Sequence, residues 1–387
     1  MAKTVADINQ KIKQGQVVVL DAEEIIDYVE KHGAKKAARE VDVVTTATFG
    51  PMCSSGAFLN FGHSDPPMKM ARVWLNDVPA YAGMAAVDVY LGATELSESD
   101  PGYGGAHVIQ DLIMGKPVKL RATAYGTDCY PRKSIETYVT LDTLNQAYLF
   151  NPRNVYQNYA VATNSSNKTI YTYMGKLLPR FGSATYSSAG QLNPLLNDPY
   201  YRTIGIGTRI FIGGTTGYIA WQGTQHNPNQ ERLASGTTIG PGATLAVIGN
   251  IKQMNIEYIR AASFYGYGIT MFMGIGVPIP VLDEEMVKSL SVKDEDIYTQ
   301  IYDYSVQRRN KPSYGKVNYQ QLRSGEITIN GKQVQTGSIS SYSKAKEIAR
   351  DLKKLITDKK FLLTEPVAPL PSDQKLNSLE ILSQEEL

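Results

Sequence analysis

The hydrophobic pattern at the start of the chain predicts alternating helices and strands. Apolar residues at helical spacing follow Thr4, whose hydroxyl is suited to capping the first helix. The apolar run at residues 17–20 predicts a short buried strand, and Asp21 with Glu24 has the spacing of a capping box for a second helix. Residues 41–46 predict the next strand. This alternation favours a mixed α/β fold that begins with a mostly parallel sheet.

The pattern changes in the middle of the chain. Residues 49–279 are rich in Gly, Tyr, Asn and Pro and contain short β-like runs. Dense glycine permits positive φ angles and close backbone approach, which binding loops require. Apolar positions return at helical spacing in residues 345–356, and prolines follow Thr364. We therefore expect a mixed α+β chain in four parts: an α/β part with both cysteines at 1–150, a Gly/Tyr-rich β-containing part at 151–285, C-terminal helices at 286–363 and an extended or disordered tail at 364–387.

The charge of the chain is nearly balanced, with a net charge of +2 from 39 basic and 37 acidic residues. That balance creates no strong field for nucleic acid or for an anionic membrane. The longest apolar run, residues 268–282, is too short to span a bilayer and is interrupted by Gly and Pro. No secretory signal is visible, so we expect a cytoplasmic protein whose thiols stay reduced and which could form a homo-oligomer.

The chain has two cysteines, Cys53 and Cys129, which lie 76 residues apart. Two thiols are too few for a four-thiolate zinc or iron–sulfur site, and their spacing is not that of a C-x-x-C pair. The four histidines show no metal-binding spacing either. We therefore expect no metal and no cofactor bound by this chain, which leaves thiol chemistry as the main candidate.

Cys53 follows a Gly-Pro loop in the sequence TTATFGPMCSSG, residues 45–56. The backbone N–H groups of Ser54 and Ser55 would stabilise a thiolate there and make it nucleophilic. Cys129 lies in AYGTDCYPR, residues 124–132, where Arg132 would also favour a thiolate. Asp128 would oppose that charge unless it orients a substrate amine. The structural alternative for either cysteine is a buried thiol that packs as a small apolar side chain.

Three further residues are candidates for the site. His63 and His107 lie in glycine-flanked loops, where they could transfer protons near neutral pH or could hydrogen-bond loop carbonyls. Arg209, like Arg132, could hold a substrate carboxylate, or could be an ordinary surface arginine. The Gly-rich residues 205–217 lack the third glycine of a dinucleotide fingerprint and the G-K-[ST] of a P-loop, so nucleotide binding is not favoured.

Five segments of the chain together resemble one known family. They are residues 41–63, 103–107, 124–132, 151–158 and 205–209, and the likeness extends from about residue 5 to about residue 360. The chain is similar to the homocysteine-biosynthesis family of anaerobes, whose members are also called L-aspartate semialdehyde sulfurtransferases. The two cysteine segments are long and distinctive, which makes the resemblance specific.

The resemblance implies a reaction in which L-aspartate semialdehyde and a sulfide or persulfide donor give L-homocysteine, with two electrons consumed. It implies that Cys53 and Cys129 match the two functional cysteines of the family. We expect Cys53 to carry the sulfur and Cys129 to resolve or relay it. The electrons would come from an external iron–sulfur protein, because the family works with a small ferredoxin-like partner. Family members often carry a pair of CBS domains, for which this chain, ending at Leu387, leaves no room, so regulation through them is expected to be absent.

Two other functions remain open from the sequence. A non-catalytic persulfide carrier or assembly factor would hold sulfur on a cysteine without binding the semialdehyde. A cysteine-dependent acyl- or CoA-transferase would bind CoA and form a thioester, although the chain lacks a clear phosphate loop.

Overall fold

The computed structural model describes residues 3–52 and 54–379. The helices are α1 Val5–Gln14, α2 Glu24–His32, α3 Ala34–Glu40, α4 Gly105–Ile113, α5 Pro194–Asn197, α6 Glu284–Leu290, α7 Tyr319–Arg323 and α8 Tyr342–Thr357. The first strands are β1 Val19–Asp21, β2 Val43–Pro51, β3 Gly56–Asn60, β4 Arg72–Leu75, β5 Val78–Ala80, β6 Asp88–Gly92, β7 Val118–Thr123, β8 Ser134–Val139, β9 Gln146–Asn154, β10 Val161–Thr163, β11 Ile170–Thr172 and β12 Gly175–Leu177. The later strands are β13 Ala184–Tyr186, β14 Gly205–Ile206, β15 Arg209–Ile212, β16 Thr215–Gln222, β17 Leu245–Asn250, β18 Ile259–Phe264, β19 Gly268–Pro280, β20 Tyr298–Asp303, β21 Ser313–Asn318, β22 Glu326–Ile329, β23 Lys332–Ser338 and β24 Ala368–Pro369. The mixed α/β fold predicted from the sequence is confirmed.

The local signals at the N-terminus are confirmed. The Thr4 side chain accepts a hydrogen bond from the Asp7 N–H, and the Asp7 carboxylate accepts one from the Thr4 N–H, which completes a capping box. Asp21 and Glu24 form the same reciprocal pair, with N···O distances of 2.9 and 2.7 Å. The expected mostly parallel sheet is wrong beyond the first pair. Although β1 and β2 are parallel, β2 pairs antiparallel with β19, a strand more than 200 residues away.

A ten-stranded sheet forms the larger half of the fold, in the order β1-β2-β19-β15-β16-β17-β9-β3-β6 with β18 beside β19. Five strands separate β2 from β3, so in a flat sheet the two would lie roughly 29 Å apart. Residues 52–55 connect them, and a chain from Pro51 to Gly56 reaches at most about 18 Å. The sheet must therefore curl, which brings the end of β2 close to the start of β3.

Helix α8 covers the end of this sheet formed by β1, β2 and β19. Its apolar face, buried through Ala345, Ile348, Ala349, Leu352 and Ile356, packs on β2 and β19 as the helical spacing predicted. Glycines on β19 make the close approach possible: a Cβ on Gly274 would lie 2.7 Å from the Ile348 side chain, and one on Gly276 would lie 3.2 Å from Leu352. Part of the glycine content therefore serves helix–sheet packing.

A second sheet of six strands, in the order β21-β20-β10-β13-β23-β22, has its own apolar cluster. Strands β20 to β23 lie within residues 286–363, which corrects the expectation that this part is helical. Burial alternates with a period of two along β20 and β22, as expected for strands with one buried face. A third, four-stranded sheet has the order β5-β4-β7-β8, and residues 124–133 join its strands β7 and β8.

The C-terminal strap, residues 361–379, runs extended over the body of the protein. Strand β24 pairs with β14, and the buried His226 ring lies between the carbonyl oxygens of Thr244 and Pro371, at 3.2 and 2.9 Å. The Asn229 amide donates to Asp373 at 2.8 Å. The tail was expected to be extended or disordered; its described part is extended and held by its own chain. Within residues 3–52 and 54–379, every helix is too short or too polar to cross a lipid bilayer.

Candidate functional site

A cavity of about 600 Å³ lies where the two larger sheets meet. The end of β2, the end of β9 and the segments after β13 and β23 contribute to its wall, together with Leu376 of the C-terminal strap. A volume of this size is typical of small-molecule sites, which are concave and carry a few polar groups. The cavity is therefore the leading candidate for a binding site.

The two chain neighbours of Cys53 line this cavity. Cys53 itself lies outside the described residues. Before it, the Met52 N–H donates to the carbonyl of Met271 on β19 at 2.7 Å. After it, the Ser54 hydroxyl donates to the carbonyl of Arg153 at 3.1 Å, and the buried Ser55 hydroxyl accepts from the Asn151 amide at 2.7 Å. The backbone on both sides of the cysteine is thus anchored to strands of the curled sheet.

Arg153, at the end of β9, is the one positively charged side chain among the described residues of the lining. Its backbone N–H donates to Asn151 Oδ1 at 2.8 Å, and its Nε donates to Thr224 Oγ1 at 2.9 Å. Within the described part of the chain, no carboxylate forms an ion pair with it and no acidic residue lines the cavity. The described lining of the cavity therefore carries a positive charge at Arg153.

The lining also includes tyrosines, among them Tyr159 and Tyr173. Tyr159 donates to the Tyr173 hydroxyl at 3.2 Å, and the Tyr173 and Tyr304 hydroxyls lie 3.0 Å apart. Burial raises the pKa of Tyr159 and of Tyr304 well above the ordinary value of 10.0. These groups stay neutral near pH 7 and act as hydrogen-bond donors or acceptors. Amides complete the polar lining, at Asn193, Gln225, Asn227 and Gln230.

The Cys129 loop, residues 124–133, lies elsewhere. Cys129 is exposed, and its sulfur lies 3.6 Å from the Thr127 hydroxyl. Arg132 donates to the carbonyl oxygens of Asp65 and Pro66 at 2.6 and 3.1 Å, which fixes this loop against residues 63–67. The lining of the cavity, as far as the structure describes it, takes nothing from this loop.

The other predicted residues fall into two further places. His63 is exposed, and its ring stacks on that of Tyr130 with centroids 5.8 Å apart, so His63 and the exposed Asp128 both belong to the Cys129 neighbourhood. His107 lies in the first turn of α4, where its Nδ1 accepts from the Gly104 N–H at 3.2 Å. Burial lowers the pKa of His107.

Arg209 lies on β15 beneath the strap. Its guanidinium donates to the Leu362 carbonyl at 3.3 Å and to the Tyr218 hydroxyl at 3.4 Å. None of His63, His107, Arg132 and Arg209 appears in the described lining of the cavity. Nor does the described part of the chain contain a group of three His, Cys, Asp or Glu side chains that could hold a metal ion.

Sequence reasoning missed the residues that characterise the cavity. Arg153 and Tyr156 stand in NPRNVYQN, residues 151–158, a segment used for the family resemblance but not for chemistry. A cation between two asparagines is a weak signal on its own. Tyr159 and Tyr173 gave no signal, because tyrosine is common throughout this part of the chain.

Comparison with known proteins places these observations in a family. The model of the family described as "Homocysteine biosynthesis enzyme, sulfur-incorporation" matches residues 17–363. A protein of Methanosarcina acetivorans named L-aspartate semialdehyde sulfurtransferase is 54% identical, over 98% of this chain and 74% of that relative. A protein of the same name from Methanocaldococcus jannaschii is 55% identical, over 95% of this chain and 73% of that relative. No solved structure matches the chain. The chain therefore belongs to the homocysteine biosynthesis, sulfur-incorporation family.

Proposed function

We propose that this chain is an L-aspartate semialdehyde sulfurtransferase that forms L-homocysteine. The observation that carries the proposal is the cavity of about 600 Å³ lined by both chain neighbours of Cys53. Support also comes from the name of two relatives that are 54% and 55% identical over nearly the whole chain. The polar, cationic lining suits a small amino-acid aldehyde.

The reaction balances with a sulfide-level donor and two electrons. Hydrosulfide adds to the aldehyde carbon, which forms the C–S bond and converts the carbonyl to a hydroxyl. Loss of that hydroxyl as water gives a thioaldehyde. Two electrons and two protons then reduce the C=S bond to the CH₂–SH of homocysteine. We assign the electrons to an external iron–sulfur protein of the small ferredoxin-like kind.

Cys53 is the thiol that we assign to sulfur delivery in the cavity. When sulfur arrives as a Cys53 persulfide, its terminal atom is one two-electron step more oxidised than sulfide. Two electrons from the external iron–sulfur protein and two protons cleave the S–S bond of this persulfide, which releases hydrosulfide and restores the Cys53 thiol. Because the Cys129 loop is absent from the described lining, we assign Cys129 to a separate step, the exchange of sulfur with a donor at the surface.

Tyrosine hydroxyls are the groups that we assign to the oxygen of the aldehyde. Tyr159 and Tyr173 line the cavity, and hydroxyl donors stabilise the charge that develops as a nucleophile adds to a carbonyl. His63 and His107 stay predictions as proton-transfer groups. Their positions outside the described lining give the tyrosines the stronger support.

The test is homocysteine formation from L-aspartate semialdehyde, a persulfide donor and a low-potential chemical reductant. We expect the unmodified chain to make homocysteine, and Cys53→Ser to lower the rate by roughly a thousandfold or more, because the reacting thiol is gone. Circular dichroism of the variant should match that of the unmodified protein. A Cys53→Ser protein with full activity, or an unmodified chain that makes no homocysteine from these reagents, would contradict the proposal.

A persulfide carrier is the second candidate, favoured by the exposed thiol of Cys129. A carrier would accept persulfide on that cysteine and pass it on without consuming the semialdehyde. Mass spectrometry of the persulfidated protein, with and without the semialdehyde, separates the two functions. Loss of the persulfide together with formation of homocysteine supports the enzyme, whereas a persulfide unaffected by the semialdehyde supports the carrier.

A further inference from the structure

We infer that Arg153 binds the α-carboxylate of the amino-acid aldehyde and makes that carboxylate a requirement of the reaction. This inference rests on the proposed function. The first support is the state of the side chain: its Nε is fixed by Thr224, while no described residue accepts a hydrogen bond from its two Nη atoms. A guanidinium held in this way presents a planar pair of donors to a carboxylate.

The second support is the charge of the surroundings. Arg153 has no acidic partner among the described residues, and the described lining contains no second ionic group. An arginine charge in a cavity without a counter-ion favours an anionic ligand. The other two arginines considered from the sequence are already engaged, since Arg132 donates to two loop carbonyls and Arg209 to Leu362 and Tyr218.

The third support is the connection between Arg153 and the Cys53 segment. The Ser54 hydroxyl donates to the Arg153 carbonyl at 3.1 Å and lies 3.3 Å from Asn151 Oδ1, which also accepts from the Arg153 N–H. The residue after Cys53 and the cation are thus held by one small hydrogen-bond cluster. A short substrate bound by its carboxylate at Arg153 would therefore lie in the same cavity that Met52 and Ser54 line.

The consequence is selectivity among aldehydes. L-aspartate semialdehyde carries an amine, a carboxylate and an aldehyde, whereas 3-aminopropanal carries the same amine and aldehyde without the carboxylate. A site built to hydrogen-bond a charged group rejects an analogue that lacks it, and we expect kcat/KM of the unmodified protein to favour the semialdehyde by roughly a thousandfold or more.

The experiment measures thiol formation from both aldehydes with sulfide and a chemical reductant. In Arg153→Met we expect the preference to fall to about tenfold or less, because the donors that recognise the carboxylate are gone. The matched control is Arg260→Met, an exposed arginine on β18 outside the described lining, which should keep the full preference. If Arg153 acted only on the Cys53 thiolate, Arg153→Met would lower kcat/KM for both aldehydes by the same factor. An unchanged ratio of the two kcat/KM values would overturn the inference.

A second variant covers the case in which Arg153→Met does not fold. Arg153→Lys keeps the charge but loses the paired donors, so we expect KM for the semialdehyde to rise roughly tenfold with a much smaller change in kcat. An unchanged KM in Arg153→Lys overturns the inference. Failure of the proposed function has a different signature, since the unmodified protein would then make no homocysteine at all.

Discussion

The two cysteine regions of this protein differ in almost every respect that matters for chemistry. The segment of Cys53 joins two strands of the curled sheet, and its neighbours line a cavity whose described lining contains one cation and several tyrosines. The loop of Cys129 joins two strands of a small separate sheet and leaves its thiol in solvent. A cavity can hold a substrate and limit water, while an exposed thiol is accessible to another macromolecule. The difference suggests two successive tasks for two thiols.

The largest expected difference between the two cysteine regions is how the rate of a Cys129 variant depends on the sulfur donor. With a persulfide-bearing protein as donor, we expect Cys129→Ser to slow homocysteine formation by roughly a hundredfold, because the accepting nucleophile at the surface is gone. With free sulfide, the same variant should stay within about threefold of the unmodified rate. Rates measured with both donors decide the matter, and equal losses with the two donors would mean that Cys129 acts in the same step as Cys53.

A smaller effect is expected from a tyrosine in each region. Tyr159→Phe removes the hydroxyl that donates to Tyr173 at the wall of the cavity and should lower kcat by roughly 10- to 100-fold. Tyr125→Phe removes a hydroxyl that is part of the Cys129 loop and 87% exposed, and should leave kcat with free sulfide unchanged. Steady-state kinetics of both variants give the comparison. A larger loss of kcat in Tyr125→Phe than in Tyr159→Phe would indicate that proton transfer takes place at the Cys129 loop and not in the cavity.

A modest effect is expected where the C-terminal strap meets the cavity. Leu376 contributes an apolar side chain to the lining, and Leu376→Ala should raise KM for the semialdehyde by about two- to fivefold through lost apolar contact. Leu379, which is 97% exposed, provides the matched Leu→Ala control and should change nothing. Equal KM values in the two variants would show that the strap does not contribute to binding.

The smallest effect concerns stability away from both thiols. Burial lowers the pKa of His107 below its ordinary value of 6.5, so the unfolded chain takes up a proton at higher pH than the folded chain. The stability that neutral His107 contributes is complete above that ordinary value and is lost as pH falls toward the lowered pKa. In His107→Gln we therefore expect a smaller drop in Tm between about pH 7.5 and about pH 5.5. Thermal melts at both values test this, and an unchanged drop contradicts it.

Much of the local structure could be predicted from the sequence. The capping residues Thr4 and Asp21, the helix over Tyr342–Thr357 and the early strands all carry signals within a few residues of one another. Strand β22 was predictable in principle, since Ile327 and Ile329 alternate with the polar Glu326 and Thr328. The sheet order was not, because β2 pairs with β19, and sequence spacing contains no information about which distant strand completes a ladder.

The candidate site divides in the same way. The sequence identified both cysteine segments as unusual and supported the family resemblance. It did not indicate that the carbonyl of Arg153, which lies 100 residues after Cys53, accepts a hydrogen bond from Ser54. That contact exists because β9 pairs antiparallel with β3, with Gly56 opposite Phe150, and no local pattern in the sequence indicates that these two strands are neighbours.

By itself the sequence determined the chemical inventory: two thiols, few histidines, a balanced charge and local elements set by propensity and capping. The tertiary structure decided which thiol segment adjoins a cavity, which arginine remains available to a ligand and which hydroxyls face it. The physical reason is that a cavity forms where segments distant in sequence fail to fill space completely. Its lining therefore follows from the packing of whole sheets, which no local pattern of residues encodes.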